Sequence, residues 1–506
     1  MTETEKTMEP NPSLSEPRDE SRGSGPSAPG GMNVLLRSVT RNLQSYMLVV
    51  ALLVIWIGFG LAAPGYASTQ HVRDLFVQMA IIGIMATGMV FVIVTGGIDL
   101  SVGYGSGFVS VVAAWMLYSG NADKWITTVL PFLGAQGHAV VTTIVVVSLA
   151  LLLAIAMGAF QGFVISRLNV PPFIVTLGGF SIFKSGILIV TQGKSLFITS
   201  YETYKYIAQG WIPVLGGYVI ALLVTVALFL RVFTTRKRKR KYGGDVGSLG
   251  LQLARAAIFS VLVIAYVCIV NRTFEPEVQA QTPATATAAD DSSDTFDVSK
   301  LGLDESRSQG ELEHFGGGED ESKVGVSTPD ALKIQAVDEA ESATEVFRPP
   351  TGVPVLVLIL GVVALLMSYI SQNTRFGRYT YAFGGNREAA RLSGIDVKNL
   401  IFKVYVLMGL LMGISGVALA GYVGSGTTSA GQGYELDVIA ACILGGTSTL
   451  GGEGTVFGAI VGALIIQSLS NGLQMMNVSS YWHYAIKGFV LILAVWADIQ
   501  FKKKRG

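Results

Sequence analysis

FVQMAIIGIMATGMVFVIVTGGIDLSVGYGSGFVSVVAAWML, residues 76–117, decides the fold. Apolar runs at 76–95 and 104–117 flank a glycine-bearing break that carries a carboxylate, Asp99. A helix needs about 20 apolar residues to cross the hydrocarbon core of a bilayer, and the first run supplies them. A backbone break at that depth survives only where protein or a water-lined cavity satisfies the freed groups. The stretch therefore predicts a packed bundle of membrane helices and excludes an ordinary soluble domain. A carboxylate placed there is costly unless it is solvated, paired or hydrogen-bonded. After the flexible pair Gly96-Gly97, Asp99 is placed to accept from the free N–H groups of a helix starting near Leu100. A direct contact with a solute or a gating role stays open beside this cap, since a broken helix also presents backbone groups to a cavity.

The same pattern recurs along the 506 residues, which are 50% hydrophobic and 14% charged. Further apolar stretches lie at 47–63, 140–165, 173–190, 212–233, 251–270, 353–370, 402–423, 436–444, 456–473 and 484–496. The expectation is an all-α polytopic membrane protein of roughly 10–12 transmembrane helices, in two pseudo-repeated halves with glycine-broken helices. The 60 glycines follow no three-residue period, which excludes collagen and suits close helix packing.

A net charge of +1 hides a strong segregation, because residues 271–350 hold 18 acidic and 6 basic side chains. Six consecutive cations, Arg236 to Lys241, precede one span, and Arg375, Arg378, Arg387 and Arg391 follow the next. The positive-inside rule puts these cations in the cytoplasm and the acidic insertion outside, with both termini cytoplasmic. Beside a span the basic run reads as a topology signal, and no nucleic-acid partner is expected. The chain then divides into a disordered cytoplasmic tail (1–45), a first transmembrane half (46–235), a basic cytoplasmic loop (236–250) and a helix (251–270). There follow the disordered extracytoplasmic insertion (271–350), a helix (351–371), a cytoplasmic loop (372–402), the second half (403–500) and a basic tail (501–506). The insertion reads as a solvated spacer or as a docking site.

A second break, Gly445-Gly446-Thr447-Ser448-Thr449-Leu450-Gly451-Gly452-Glu453-Gly454, precedes a helix with Gly458 and Gly462 at small-xxx-small spacing. A weaker echo links Gln161-Gly162-Phe163 and Asn169-Val170-Pro171 with Asn471-Gly472-Leu473 and Asn477-Val478-Ser479. A parallel repeat of this kind would set both breaks beside one pathway. The pathway candidates are Gly96, Gly97, Asp99 and Ser101 in one half and Gly445, Gly446, Thr447 and Ser448 in the other.

Other signals fail. Gly193-Lys194-Ser195 lacks the upstream glycine spacing of a phosphate-binding loop. The four histidines are dispersed, and Cys268 and Cys442 sit in apolar runs without a partner pattern, so no metal site or disulfide is expected. In the cytoplasmic loop, Gly385-Asn386 gives a turn and an N-cap. Arg387 to Leu392 are good helix formers, and Gly394 stops the helix. Such a surface helix fits a partner's groove, and a plain connecting loop is the other reading.

Three motifs in this order carry a family likeness: Gly-Gly-Ile-Asp-Leu-Ser-Val-Gly at 96–103, Phe-Gly-Arg with Gly-Asn-Arg-Glu-Ala-Ala-Arg-Leu-Ser-Gly-Ile within 376–395, and Gly-Gly-Thr-Ser-Thr-Leu-Gly-Gly-Glu-Gly-Thr at 445–455. The chain resembles the bacterial ribose/xylose/galactose class of ABC-transporter permeases. The stretch from Tyr481-Trp482-His483 to Asp498 looks most like the xylose and multiple-monosaccharide members. The resemblance implies a sugar-import subunit of the bacterial inner membrane, itself not an enzyme and holding no cofactor. Its implied partners are a cytoplasmic ATPase that uses ATP and Mg, an extracytoplasmic sugar-binding protein, a second permease copy, a monosaccharide and membrane lipid. It also implies that Gly385, Asn386, Arg387, Glu388, Ala389, Ala390 and Gly394 form the contact with the ATPase. Lys184 and Lys487, lying in apolar stretches, would snorkel, pair or touch the sugar. The acidic insertion departs from the family pattern. Two other readings remain: a secondary transporter with Asp99 as its titrating group, and a scaffold that recruits partners through the acidic loop.

Overall fold

The computed structural model describes residues 43–118, 120–129, 135–198, 201–241, 248–271 and 352–503. The expected disorder of the N-terminal tail falls almost wholly, and that of the acidic insertion wholly but for Asn271, outside these residues.

Sixteen helices are described: α1 (Leu43–Ala62), α2 (Thr69–Val94), α3 (Val102–Tyr118), α4 (Asn121–Val129), α5 (Ala135–Arg167), α6 (Pro172–Thr191), α7 (Glu202–Gln209), α8 (Val214–Lys241), α9 (Leu249–Val270), α10 (Val355–Asn373), α11 (Arg375–Gly385), α12 (Arg387–Leu392), α13 (Val397–Val423), α14 (Tyr434–Leu444), α15 (Val456–Met475) and α16 (Ser480–Lys503). Four two-residue strands complete them: β1 (Leu196–Phe197), β2 (Trp211–Ile212), β3 (Val353–Pro354) and β4 (Ser425–Gly426). Every apolar stretch expected to be a span falls on a helix but for one or two residues at an end. Among the described residues, eight helices are long and apolar enough to cross a membrane: α2, α5, α6, α8, α9, α10, α13 and α15. Val50–Ala62 and Val102–Tyr118 are shorter apolar helices. The protein is an all-α polytopic membrane protein. One boundary differs from expectation, since α8 continues through the basic run to Lys241 where a loop was expected. Lysine and arginine are good helix formers, so the charge that stops the span does not stop the helix.

One compact unit comprises the described parts of Met1–Tyr66, Gln78–Thr203 and Leu360–Gly506. Its core is the apolar body of α2, where Ile84, Met85, Ala86 and Met89 are fully buried. Small residues set its helix spacing. A Cβ on Gly158 of α5 would lie 2.8 Å from the Cα of Gly409 on α13. On α15, Gly458 and Gly462 press against the backbone of Gly445 and Ala441, as their spacing predicts.

The second unit comprises Ala67–Val77 and Tyr204–Ile359. Here β2 and β3 pair antiparallel, Trp211 opposite Pro354 and Ile212 opposite Val353. Arg73, only 2% exposed, donates from Nε to Val270 O at 3.1 Å and lies 5.6 Å from the Trp211 ring centre. It thus satisfies a carbonyl that the end of α9 leaves free. Asn271 Nδ2 donates to Val214 O at 3.3 Å. A Cβ on Gly217 would meet both Val353 Cγ2 (3.0 Å) and Asn271 Nδ2 (3.2 Å), so the residues flanking 272–351 lie side by side.

Candidate functional site

The two glycine breaks share one local geometry. At the end of α2, Thr95 N donates to Phe91 O, Gly96 N to Ile93 O and Gly97 N to Val92 O, at 3.2, 2.8 and 3.0 Å. At the end of α14, Gly445 N donates to Ala441 O, Gly446 N to Ile443 O and Thr447 N to Cys442 O, each at 2.9 Å. Gly96 and Gly446 occupy the left-handed region, at φ +78° and +86°. That conformation closes the last turn on its own carbonyls and favours glycine. The weaker echo has a counterpart too, because Asn169 and Asn477 are both left-handed, at φ +56° and +53°.

Asp99, 2% exposed, bonds the residue ahead of α3 and not the N–H groups within it, since that helix starts at Val102 and not near Leu100. Its Oδ1 accepts from Ser101 N at 2.9 Å and Ser101 Oγ at 2.6 Å, just ahead of α3. Gln161 Nε2 on α5 donates to Ser101 Oγ at 2.8 Å, and Thr176 Oγ1 on α6 to Ile98 O at 3.2 Å. The break is therefore stitched to two neighbouring helices. In the second break Ser448 N donates to Glu453 O at 2.8 Å, while buried Thr447 keeps its Oγ1 unpaired. Asp99, Ser101, Thr447 and Ser448 are all buried within the chain. Asp99, Ser101 and Ser448 hold the breaks through side-chain hydrogen bonds, Ser448 Oγ accepting from Leu450 N at 3.2 Å.

The structure brings both breaks to one place. Gly452 N, from the second, donates to Val94 O, from the first, at 2.9 Å. The loop carrying α11 and α12 joins them: Arg387 Nη2 donates to Thr95 O at 3.3 Å and Tyr381 OH to Gly454 O at 2.9 Å. Burial raises the Tyr381 phenol pKa, against a smaller lowering by its hydrogen bond with Ser371, so the group stays protonated to donate.

Helix α12 spans the residues expected. Asn386 Oδ1 caps it from Ala389 N at 2.9 Å, and Gly394 follows at φ +79°. Ala390 is buried with Phe383 and Leu400, whereas Glu388, Ala389 and Leu392 face outward, Leu392 at 78% exposure. Arg387 turns its guanidinium inward, 5.5 Å from the Phe383 ring centre.

Further contacts join residues far apart in the sequence. Gln161, which the sequence marks only as part of a weak repeat, meets Ser101 from 60 residues away. Lys487 pairs with Asp437 of α14 at 2.8 Å, and Lys184 lies 5.5 Å from the Tyr104 ring centre. Asp437 and Glu435 are buried carboxylates in an apolar run, the same signal that marked Asp99. A chain of amides and hydroxyls links three helices: Gln467 Nε2 donates to Gln78 Oε1 (2.6 Å) and Asn471 Oδ1 (2.9 Å), and Gln78 Nε2 to Tyr422 OH (2.9 Å). Among the described residues no group of three or more His, Cys, Asp or Glu could hold a metal ion. Cys442 is buried and donates to Ala86 O at 3.3 Å, in keeping with a packing role.

Residues 72–495 match the family described as branched-chain amino acid transport system / permease component. The xylose transport system permease protein XylH of Haemophilus influenzae is 32% identical over 470 residues, 93% of this chain and 99% of that protein. Its namesake in Escherichia coli K12 is 32% identical over 464 residues, 92% of this chain and 93% of that protein. The ribose import permease protein RbsC of Escherichia coli K12 is 48% identical over 149 residues, 29% of this chain and 46% of that protein. No solved structure matches the chain.

Proposed function

The chain belongs to the family of branched-chain amino acid transport system permease components, and on that premise we propose that it is the membrane subunit of an ATP-driven monosaccharide importer, carrying xylose or a related pentose or hexose. The observation that carries the reading is the 32% identity to a xylose permease over 93% of this chain and 99% of that relative. In this reading a separate cytoplasmic ATPase spends ATP with Mg, an extracytoplasmic binding protein delivers the sugar, and a second copy of the chain completes the membrane part. The bundle alternates between outward- and inward-open states, driven from the cytoplasmic side. Helix α12 offers the ATPase Glu388, Ala389 and the exposed Leu392, with Asn386 and Gly394 fixing its ends and Ala390 anchoring it from below. The residues at 96–101 and 445–448 frame the inner part of the pathway.

The family description favours a second cargo, a branched-chain amino acid. One experiment separates the readings: uptake of labelled xylose, ribose, galactose and leucine into vesicles carrying this chain, its ATPase and its binding protein. ATP-dependent accumulation of a sugar and not of leucine is expected, with no ATP hydrolysis by the purified chain alone. Sugar uptake on a proton or sodium gradient without ATP would make it a secondary transporter. Partner binding through residues 275–345, with no solute crossing, would make it a scaffold.

A further inference from the structure

The C-terminal end of α11 lies against both glycine breaks with no side chain between the backbones. A Cβ on Gly384 would collide with Val94 O of the first break and lie 2.6 Å from Gly452 N of the second. A Cβ on Gly451 would lie 2.8 Å from Val94 O and 3.1 Å from Gly384 O, and one on Gly452 would lie 2.8 Å from Gly385 Cα. Every obstructing atom is backbone, so nothing flexible can give way. Gly452 N donates to Val94 O across this contact. Arg387 fastens a second point on the first break, since its Nη2 donates to Thr95 O and its guanidinium fills the space beside Gly96. Tyr381 OH fastens a second point on the second break through Gly454 O. The short segment from Tyr381 to Arg387 therefore holds each break twice, and the breaks hold each other.

We propose that Gly384 and Arg387 are positioning residues of a mechanical link, through which displacement of α12 by the ATPase moves both glycine breaks together. The proposal rests on the reading of the chain as an ATP-driven permease. Displacement passes through packed atoms and hydrogen bonds because close-packed contacts do not compress. The contact accounts for a glycine at 384, where no left-handed φ calls for one. Gly384 supplies the close approach, while a Cβ on Gly385 would meet open space.

The test uses the whole importer in vesicles: this chain, its ATPase and its binding protein. Three readouts are taken for each variant: co-purification of the ATPase, ATP hydrolysis, and sugar uptake. Gly384→Ala is compared with Gly361→Ala, an α10 glycine whose added Cβ would meet open space. Gly384→Ala is expected to co-purify with the ATPase and keep at least half of its hydrolysis while uptake falls at least tenfold. Arg387→Ala, which removes one hydrogen bond and leaves the backbone contact, is expected to raise the ATP spent per sugar severalfold, with Arg387→Lys in between. Arg387→Ala decides the matter where Gly384→Ala does not fold. Uptake by Gly384→Ala within twofold of Gly361→Ala, or an unchanged ATP-to-sugar ratio in Arg387→Ala, would overturn the link. Loss of ATPase co-purification in both would overturn it in favour of a docking role. Wild-type complex without ATP-dependent uptake would instead remove the permease reading itself.

Discussion

Asp99 commits one carboxylate oxygen to Ser101, whose hydroxyl also accepts from Gln161. What such a residue needs is an acceptor, which an amide also provides. Asp99→Asn is therefore expected to unfold, in detergent, close to the wild-type temperature. Asp99→Ala, which leaves the buried Ser101 N–H without its acceptor, should lose about 1–3 kcal/mol. Sugar uptake should survive in Asp99→Asn, whereas a gradient-driven carrier relying on this carboxyl would stop. That Asp99 would bond nearby backbone was legible in the sequence because the contact is local, two residues from donor to acceptor. Gln161 was not, because nothing near it names a partner on another helix.

At the scale of helices, α12 was readable in full: an asparagine to begin it, good helix formers within, a left-handed glycine after it. Its neighbour α11 lies where a loop was expected, although Thr374 caps it from Gly377 N at 3.2 Å. The tie between α14 and α16 was hidden for a different reason. Asp437 and Lys487 are 50 residues apart and each looks costly alone, and only the packing of the two helices makes them a pair. Removing one partner leaves a buried charge uncompensated, which costs about 3–5 kcal/mol, while replacing both by apolar residues of similar volume is near neutral. Lys487→Met, which strands the buried Asp437, should thus lower the unfolding midpoint strongly, Asp437→Leu less so because the Lys487 side chain is 19% exposed, and the double variant should regain most of the loss. Additive single effects would show that the pair does not act as a unit.

Across the whole molecule, apolar run lengths located the spans, because burial in lipid writes itself directly into composition. They could not show that both breaks and the C-terminal end of α11 meet, since three backbone segments from distant parts of the chain converge through glycines that each look like ordinary turns. Nor could they show how the acidic stretch is rooted. Its flanks are held by β2 against β3, by Asn271 on Val214 and by Arg73 on Val270. Replacing residues 275–345 with a short glycine–serine linker is therefore expected to leave the unfolding midpoint unchanged. A marked fall would show that the stretch itself supports the helices that bear it.

That clasp has a practical side. An epitope or fluorescent tag spliced into the same interval would hang from a fastened stem on the face that the charge pattern assigns to the exterior. The molecule could then be followed in living cells while the helices beneath keep their register.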